Sequence, residues 1–219
     1  MKRKKKGFLW MMGGLMFLTL ALLLTVYNLN EANSAAEASE SVAVELVRII
    51  EENASEKAAE ILEEENGANT SAALSITPDY VLYPDKEMPT MEIDSRRYYG
   101  VLEIPDLNLV LPVLAGEWSY EKLRIAPCWI NGSVYKDDMV IAAHNYIRHF
   151  SGIRRLSVGA VVRFIDAEGN VFEYTIAWAE ILSGTDWEEM VEGDDWDLTL
   201  YTCNYGGQKR YTVRCIRTN

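Results

Sequence analysis

Few cysteines, few histidines and a deficit of positive charge set the first limits on this chain of 219 residues. The three cysteines, Cys128, Cys203 and Cys215, are an odd number. That is a poor basis for a disulfide framework and points to a reactive thiol. A Cys128–Cys215 pair that leaves Cys203 free is equally compatible with the sequence. Two histidines only, His144 and His149, argue against a His-rich metal site, and no Cys-x-x-Cys or His-x-x-x-His spacing occurs. A net charge of −12 argues against a nucleic-acid surface. Acidic clusters exist at Asp137-Asp138, at Asp166 with Glu168, and at Asp194-Asp195. None has calcium-loop spacing, so no metal is expected, and no motif calls for a cofactor.

One further absence is local. Residues 8–27 contain no charged side chain, directly after the basic block Lys2-Arg3-Lys4-Lys5-Lys6. About 20 apolar residues cross a bilayer as a helix, and the core of a cleaved signal peptide is shorter, about 7–15 residues. The run therefore predicts an uncleaved signal-anchor, although Asn33-Ser34-Ala35-Ala36 offers small residues for a cleavage site. Basic residues stay on the cytoplasmic side. The expected topology is a single-pass cell-membrane protein with its N-terminus inside and everything after Tyr27 outside.

Residues 31–65 form a separate zone with eleven Glu against Arg48 and Lys57. Val42, Leu46, Ile49, Ile50, Ala54, Ala58, Ile61 and Leu62 recur at steps of mostly three and four, which predicts an amphipathic helix ending near Gly67. The seam is short and diluted by Ala. A solvated stalk that holds the following domain off the membrane fits it better than a self-associating coiled coil. Residues 71–97 carry Pro78, Pro84 and Pro89 and predict an extended linker without helix, or a strap packed on the domain.

From Tyr98 onward the pattern changes to short strands. Apolar or alternating runs fall at 98–104, 107–114, 140–144, 160–165, 171–178, 196–203 and 210–217, separated by turn signals such as Asp166-Ala167-Glu168-Gly169-Asn170. Short helical pieces fit 119–124, 150–156 and 185–191. Many short strands with few helices predict a mainly β barrel or sandwich, and about 120 residues suffice for one core.

Three strand edges carry chemistry. Val140-Ile141-Ala142-Ala143 ends on His144; Leu198-Thr199-Leu200-Tyr201-Thr202 ends on Cys203; and after a turn at Gly206-Gly207 the last strand begins at Arg210. On periodicity alone, Cys203 reads as a buried structural thiol or as a nucleophile at a barrel rim. His144 reads as a strand cap or as a general acid/base, and Arg210 as a surface cation or as an oxyanion and carbonyl donor, with Lys209 its neighbouring rival. His149 follows a turn and is set aside. Arg214 and Arg217 read as solvated.

The order His, Cys, Arg, with Cys203 closing a Thr-Leu-x-Thr-Cys strand, resembles the sortase family across roughly residues 98–217. The resemblance implies an eight-stranded sortase-like β-barrel with short helices, here preceded by a transmembrane helix and a helical stalk. Together with the composition it divides the chain into a basic tail (1–6), a signal-anchor (7–29), a stalk and Pro-containing linker (30–97) and a catalytic domain (98–219). It assigns Cys203 as nucleophile, His144 as acid/base and Arg210 as the guanidinium. Thr202 reads as a substrate-binding residue or as an ordinary strand threonine, and Asn145 as orienting the imidazole or as serving the backbone. It also implies partners: the sorting-signal peptide of a secreted protein or pilin, and an amine on a cell-wall precursor or pilin lysine.

Pilus-building members carry a lid with Asp-Pro followed by an aromatic residue. This chain has Pro84-Asp85 instead, which favours the linker and leaves the subclass open. Three competitors remain. A secreted cysteine protease of papain type has Cys before His. An L,D-type transpeptidase carries Ser-His-Gly-Cys, absent here. A non-catalytic adhesion domain needs no reactive thiol at all.

Overall fold

Closure of the sheet depends on one strand that pairs along both its edges. The computed structural model describes residues 2–67, 78–204 and 206–219. Its strands are β1 (Met91–Ile93), β2 (Arg96–Ile104), β3 (Leu109–Leu114), β4 (Cys128–Asn131), β5 (Met139–Ala143), β6 (Val161–Asp166), β7 (Val171–Ser183), β8 (Leu198–Cys203) and β9 (Lys209–Arg217). β2 pairs with β3 on one side and with β6 on the other. Eight strands in the order β2-β3-β4-β5-β8-β9-β7-β6 thus form a closed barrel, and β1 adds a short hairpin to β2. At the closure point, a Cβ on Gly100 would lie 2.0 Å from the carbonyl oxygen of Ile165. Only glycine admits that approach of β2 to β6.

Alternation along the strands builds two apolar layers. Leu102, Ile104, Val113, Ile141, Phe164, Phe172, Tyr174, Leu200 and Val213 are buried inside the barrel. Tyr98, Val101, Leu114, Cys128, Val140, Ala142 and Tyr201 point the other way, into a second cluster on the outer wall. Short helices cover the wall: α3 (Tyr120–Leu123) and α4 (Trp187–Val191) supply Leu123, Met190 and Val191 to the outer cluster.

The acidic helix also belongs to this outer layer, contrary to the expectation of a solvated stalk. α1 (Lys2–Gly67) is unbroken from the basic tail through the apolar run to Gly67. Ala35, Ala36, Ser39, Val42, Ala43, Leu46 and Ile50 are buried, at the three- and four-residue steps of one helix face. Val42, Leu46 and Ile50 join the cluster around Tyr98, Val101 and Leu114. Full burial of a side chain such as Leu46 contributes about 1.5–3 kcal/mol, so detaching this helix costs the barrel several such terms. The amphipathic period is as expected. Its partner is the barrel wall and not water.

The described part of the segment before the barrel, residues 78–97, packs on it as a strap. Residues 71–77 of the expected linker lie outside the described residues. The rest contains one helical turn, α2 (Asp79–Leu82), where no helix was expected, and the strand β1. Tyr80 stacks on Tyr135 (ring centroids 4.9 Å, interplanar angle 9°) and packs on Phe172, while Lys86 pairs with Glu168 at 3.3 Å and Asp85 with Lys136 at 2.8 Å. This strap caps the barrel end where β6 turns into β7, opposite the end that carries His144 and Cys203. Two strands were not anticipated, β1 and β4. Each is only three or four residues long, and β4 is interrupted by a register shift.

Candidate functional site

Register brings the three chemical strand ends together. β5 and β8 run parallel, with Ala143 opposite Thr202, so His144 and Cys203 follow as the next residues of adjacent strands. β8 and β9 are antiparallel, with Cys203 directly opposite Arg210. Directly opposed residues of such a pair have Cα atoms about 4.5–5.5 Å apart.

All three side chains also share a face. Met139, Ile141 and Ala143 of β5, Leu198 and Leu200 of β8, and Val213 and Cys215 of β9 face inward. Strand alternation then sends Cys203 and Arg210, and His144 in continuation of β5, to the outer wall beside Tyr201. Arg210 and Cys203 are both close enough to influence the Tyr201 phenol, which burial pushes up to about 12.

Cys203 is half-buried at its strand end, whereas Cys128 and Cys215 are fully buried. All three are free thiols, so the alternative Cys128–Cys215 pair does not form. Burial pushes the Cys128 thiol up to about 12 and the Cys215 thiol higher still, which keeps both protonated and inert.

Arg210 is fixed by the turn it follows. Its Nη1 donates to the carbonyl oxygens of Gly207 (2.9 Å) and Lys209 (3.3 Å). The turn is tied by Asn204, whose N–H donates to Lys209 O and whose side-chain oxygen accepts from Lys209 N. Gly184, in the loop after β7, supports the guanidinium from outside: a Cβ there would lie 3.1 Å from Arg210 Nη1 and 3.0 Å from Gln208 O. Sequence reasoning missed Gly184, because nothing in Ser183-Gly184-Thr185 marks it as more than a loop residue.

His144 is half-buried, and its imidazole stacks on Tyr146 (4.7 Å between centroids, 28° between planes). Burial holds its pKa below the ordinary histidine value; the nearby Arg124 cation adds to this and Glu31 opposes it. His149 lies behind Tyr146, fully buried, with no hydrogen-bond partner for either ring nitrogen. Burial, with His144 adding to it, lowers its pKa to about 4, so it stays neutral.

The structure also places four residues near these strands, and for the two later arginines it corrects the expectation of solvation. Thr202 faces inward, is buried, and donates its hydroxyl to Ala143 O at 2.8 Å. It ties the two strands together. Asn145 accepts from Arg154 Nη2 at 2.8 Å, and the ring stacked on His144 is that of Tyr146. Arg214 is buried, not solvated. It donates to Glu180 (2.8 Å), Thr199 Oγ1 (2.7 Å) and the backbone oxygens of Met190 and Glu189, and it lies over the Trp196 ring. Arg217 is half-buried over Phe172 and pairs with Asp137 at 3.1 Å.

Comparisons with known proteins agree with the barrel fold. A family model described as the sortase domain matches residues 102–218. Sortase C1 from Streptococcus agalactiae is similar at 23% identity and a TM-score of 0.52, over 67% of this chain and 79% of that one. Sortase A from Corynebacterium diphtheriae follows at 17% identity and 0.51, over 69% and 72%. A Clostridium perfringens sortase C solved with its C-terminal cell wall sorting motif matches at 22% identity and 0.50, over 82% and 91%. No curated protein matches the chain.

Proposed function

Since the chain belongs to the sortase family of transpeptidases, we propose that it cleaves a C-terminal sorting signal through Cys203 and transfers the acyl group to an amine. The observation that carries this reading is the convergence of His144, Cys203 and Arg210 at one end and on one face of the adjoining strands β5, β8 and β9.

In this mechanism the Cys203 thiolate attacks the carbonyl carbon of a threonine-like residue in an extended peptide. The oxygen gains charge, and Arg210, a permanent cation with a planar fork of donors, stabilises it. The C–N bond breaks as His144 gives its proton to the leaving amine, and a thioester to Sγ remains. An incoming amine then attacks the thioester and loses its proton to neutral His144. The C–S bond breaks and the thiolate returns. Acyl acceptors of this kind are an amine of a cell-wall precursor or a pilin lysine.

Location is part of the proposal. One helix is long and apolar enough to cross a membrane, and Trp10, Phe17, Leu22 and Leu24 lie fully outside the protein core. With residues 8–27 in the bilayer and the basic block inside, the barrel stands on the outer surface, where secreted substrates emerge.

The test is acyl-enzyme trapping on the full chain in detergent, with a panel of pentapeptides bearing Thr before the scissile bond. Intact mass should show an adduct on the wild-type chain and none on Cys203→Ala. An added amine should convert the adduct to a transfer product. Hydrolysis alone, unmoved by amines, would support a cysteine protease. No adduct on any peptide, together with no preferential labelling of Cys203 by an electrophilic thiol probe, would support a non-catalytic domain.

A further inference from the structure

The anchor-proximal part of α1 reaches the catalytic end of the barrel. Glu31 is the first acidic residue after the apolar run, and its carboxylate is mostly shielded from solvent. A single oxygen, Oε1, accepts from Arg124 Nε at 3.0 Å and from the Tyr146 hydroxyl at 3.4 Å. Tyr146 in turn stacks on His144. Two of the groups placed against the imidazole are therefore fastened to one carboxylate on a different element of the fold.

We propose that Glu31 is a positioning residue of the sortase site: from α1 it fastens Tyr146 against the ring of His144 and pairs Arg124 beside it. This rests on the assignment of His144 as the acid/base. The groups facing His144 are Arg124 from the segment after α3, Glu31 from α1, Tyr146 on the following loop, and His149 behind Tyr146. Arg124 disfavours the imidazolium and Glu31 favours it. Without Glu31 the cation is left unpaired next to the ring, and Tyr146 loses its tether. The unpaired cation lowers the fraction of His144 able to protonate the leaving amine, and loosening of Tyr146 costs orientation. A second arm fixes the same loop further along: Arg148 pairs with Glu40 on α1. The loop from His144 to His149 is thus clamped to α1 at two places.

Magnetic resonance on the full chain in detergent, labelled at histidine, tests this without any substrate, because the chain has two histidines only. Glu31→Gln should move the titration of His144 to lower pH and leave His149 in place, which reports an intact fold. Glu31→Asp should restore the wild-type titration in part. Tyr146→Phe, which keeps the ring and loses the hydroxyl, should perturb His144 less than Glu31→Gln does. In the peptide assay, Glu31→Gln should lower kcat about tenfold and leave KM within about twofold, as expected for a group acting on proton transfer. An unchanged His144 titration in Glu31→Gln would overturn the proposal. A joint displacement of both histidines would also overturn it, since that reports detachment of α1 rather than a local role. Loss of acyl transfer in every assay would count against the proposed function and leave the titration result standing.

Discussion

The two ends of the barrel wall handle polar groups in opposite ways. At the end capped by the strap, Asp166 is buried, and its carboxylate accepts from Tyr135 Oη, Glu168 N, Asn170 N and Asn170 Nδ2, all at 2.8–2.9 Å. Those donors close the β6–β7 turn, and the aromatic stack of Tyr80, Tyr135 and Phe172 seals it. At the other end, His144, Cys203 and Arg210 stay half-buried. A carboxylate whose lone pairs are all occupied organises backbone and has nothing left for a ligand. Side chains that are positioned by their neighbours yet open to solvent are available for chemistry. One end, at the β6–β7 turn, is architecture; the other, at the ends of β5, β8 and β9, is the proposed site.

Substitutions at the two ends should therefore separate activity from stability. The largest expected effect is Cys203→Ala, which should reduce peptide cleavage to background while the unfolding free energy stays within about 0.5 kcal/mol, the range usual away from cores and networks. Retained turnover would place the nucleophile elsewhere. Arg210→Lys comes next. A compact ammonium lacks the planar fork, so kcat should drop by about 10²–10³ with little change in melting.

Arg214→Lys, four residues along the same strand, should do the reverse. It strips donors from Glu180, Thr199 and two backbone oxygens in a buried site, at a cost of about 3 kcal/mol in chemical denaturation. Equal kinetic defects at both arginines would erase the distinction between site and scaffold. Asp166→Asn should cost about 2–3 kcal/mol, because an amide turns a donor toward N–H groups that need an acceptor. Activity of the fraction that remains folded should be normal.

The smallest effect is one of pH. His149 is buried neutral, with a folded pKa of about 4 against an ordinary 6.5. Between those values the unfolded chain binds a proton that the folded chain does not, so stability is full above about pH 6.5 and declines as pH falls. Unfolding titrations should lose about 1 kcal/mol between about pH 6.5 and 5.5 from this group, and His149→Phe should flatten that slope. An unaltered slope would mean that His149 is solvated.

Most of the barrel is legible in the sequence because strand alternation is local. The runs that became β2, β3, β5, β6, β8 and β9 announce themselves by period and turn residues. The order of His144, Cys203 and Arg210 is legible for the same reason, since each sits at the edge of a readable strand. What a strand's outer face meets is not local information. Arg214 looks solvated until Glu180 and α4 are seen beside it, and nothing in the sequence joins the Thr202 hydroxyl to Ala143. Tyr146 and Glu31 lie 115 residues apart in the chain, and no periodicity links them. The helix seam at Val42, Leu46 and Ile50 shows the limit most plainly. Its spacing specifies a face but not the Tyr98–Val101–Leu114 surface that covers it.

The unbroken course of α1 works as a depth gauge. With residues 8–27 in a bilayer, as proposed, Glu31 lies four positions beyond the end of the apolar run, a rise of about 6 Å at 1.5 Å per residue. Glu31 touches Arg124 and Tyr146 at the mouth of the site, while Ile50, further along the same helix, comes close to Gly169 at the distant end. On that proposal the barrel would be moored mouth-first toward the lipid and would not swing on a tether. A secreted substrate still held by its own hydrophobic tail would meet the thiol only if its scissile bond lay within about a nanometre of the headgroups. Spacer length in a sorting signal would then be a selection criterion alongside its sequence, imposed by the rigidity of one helix and not by any pocket.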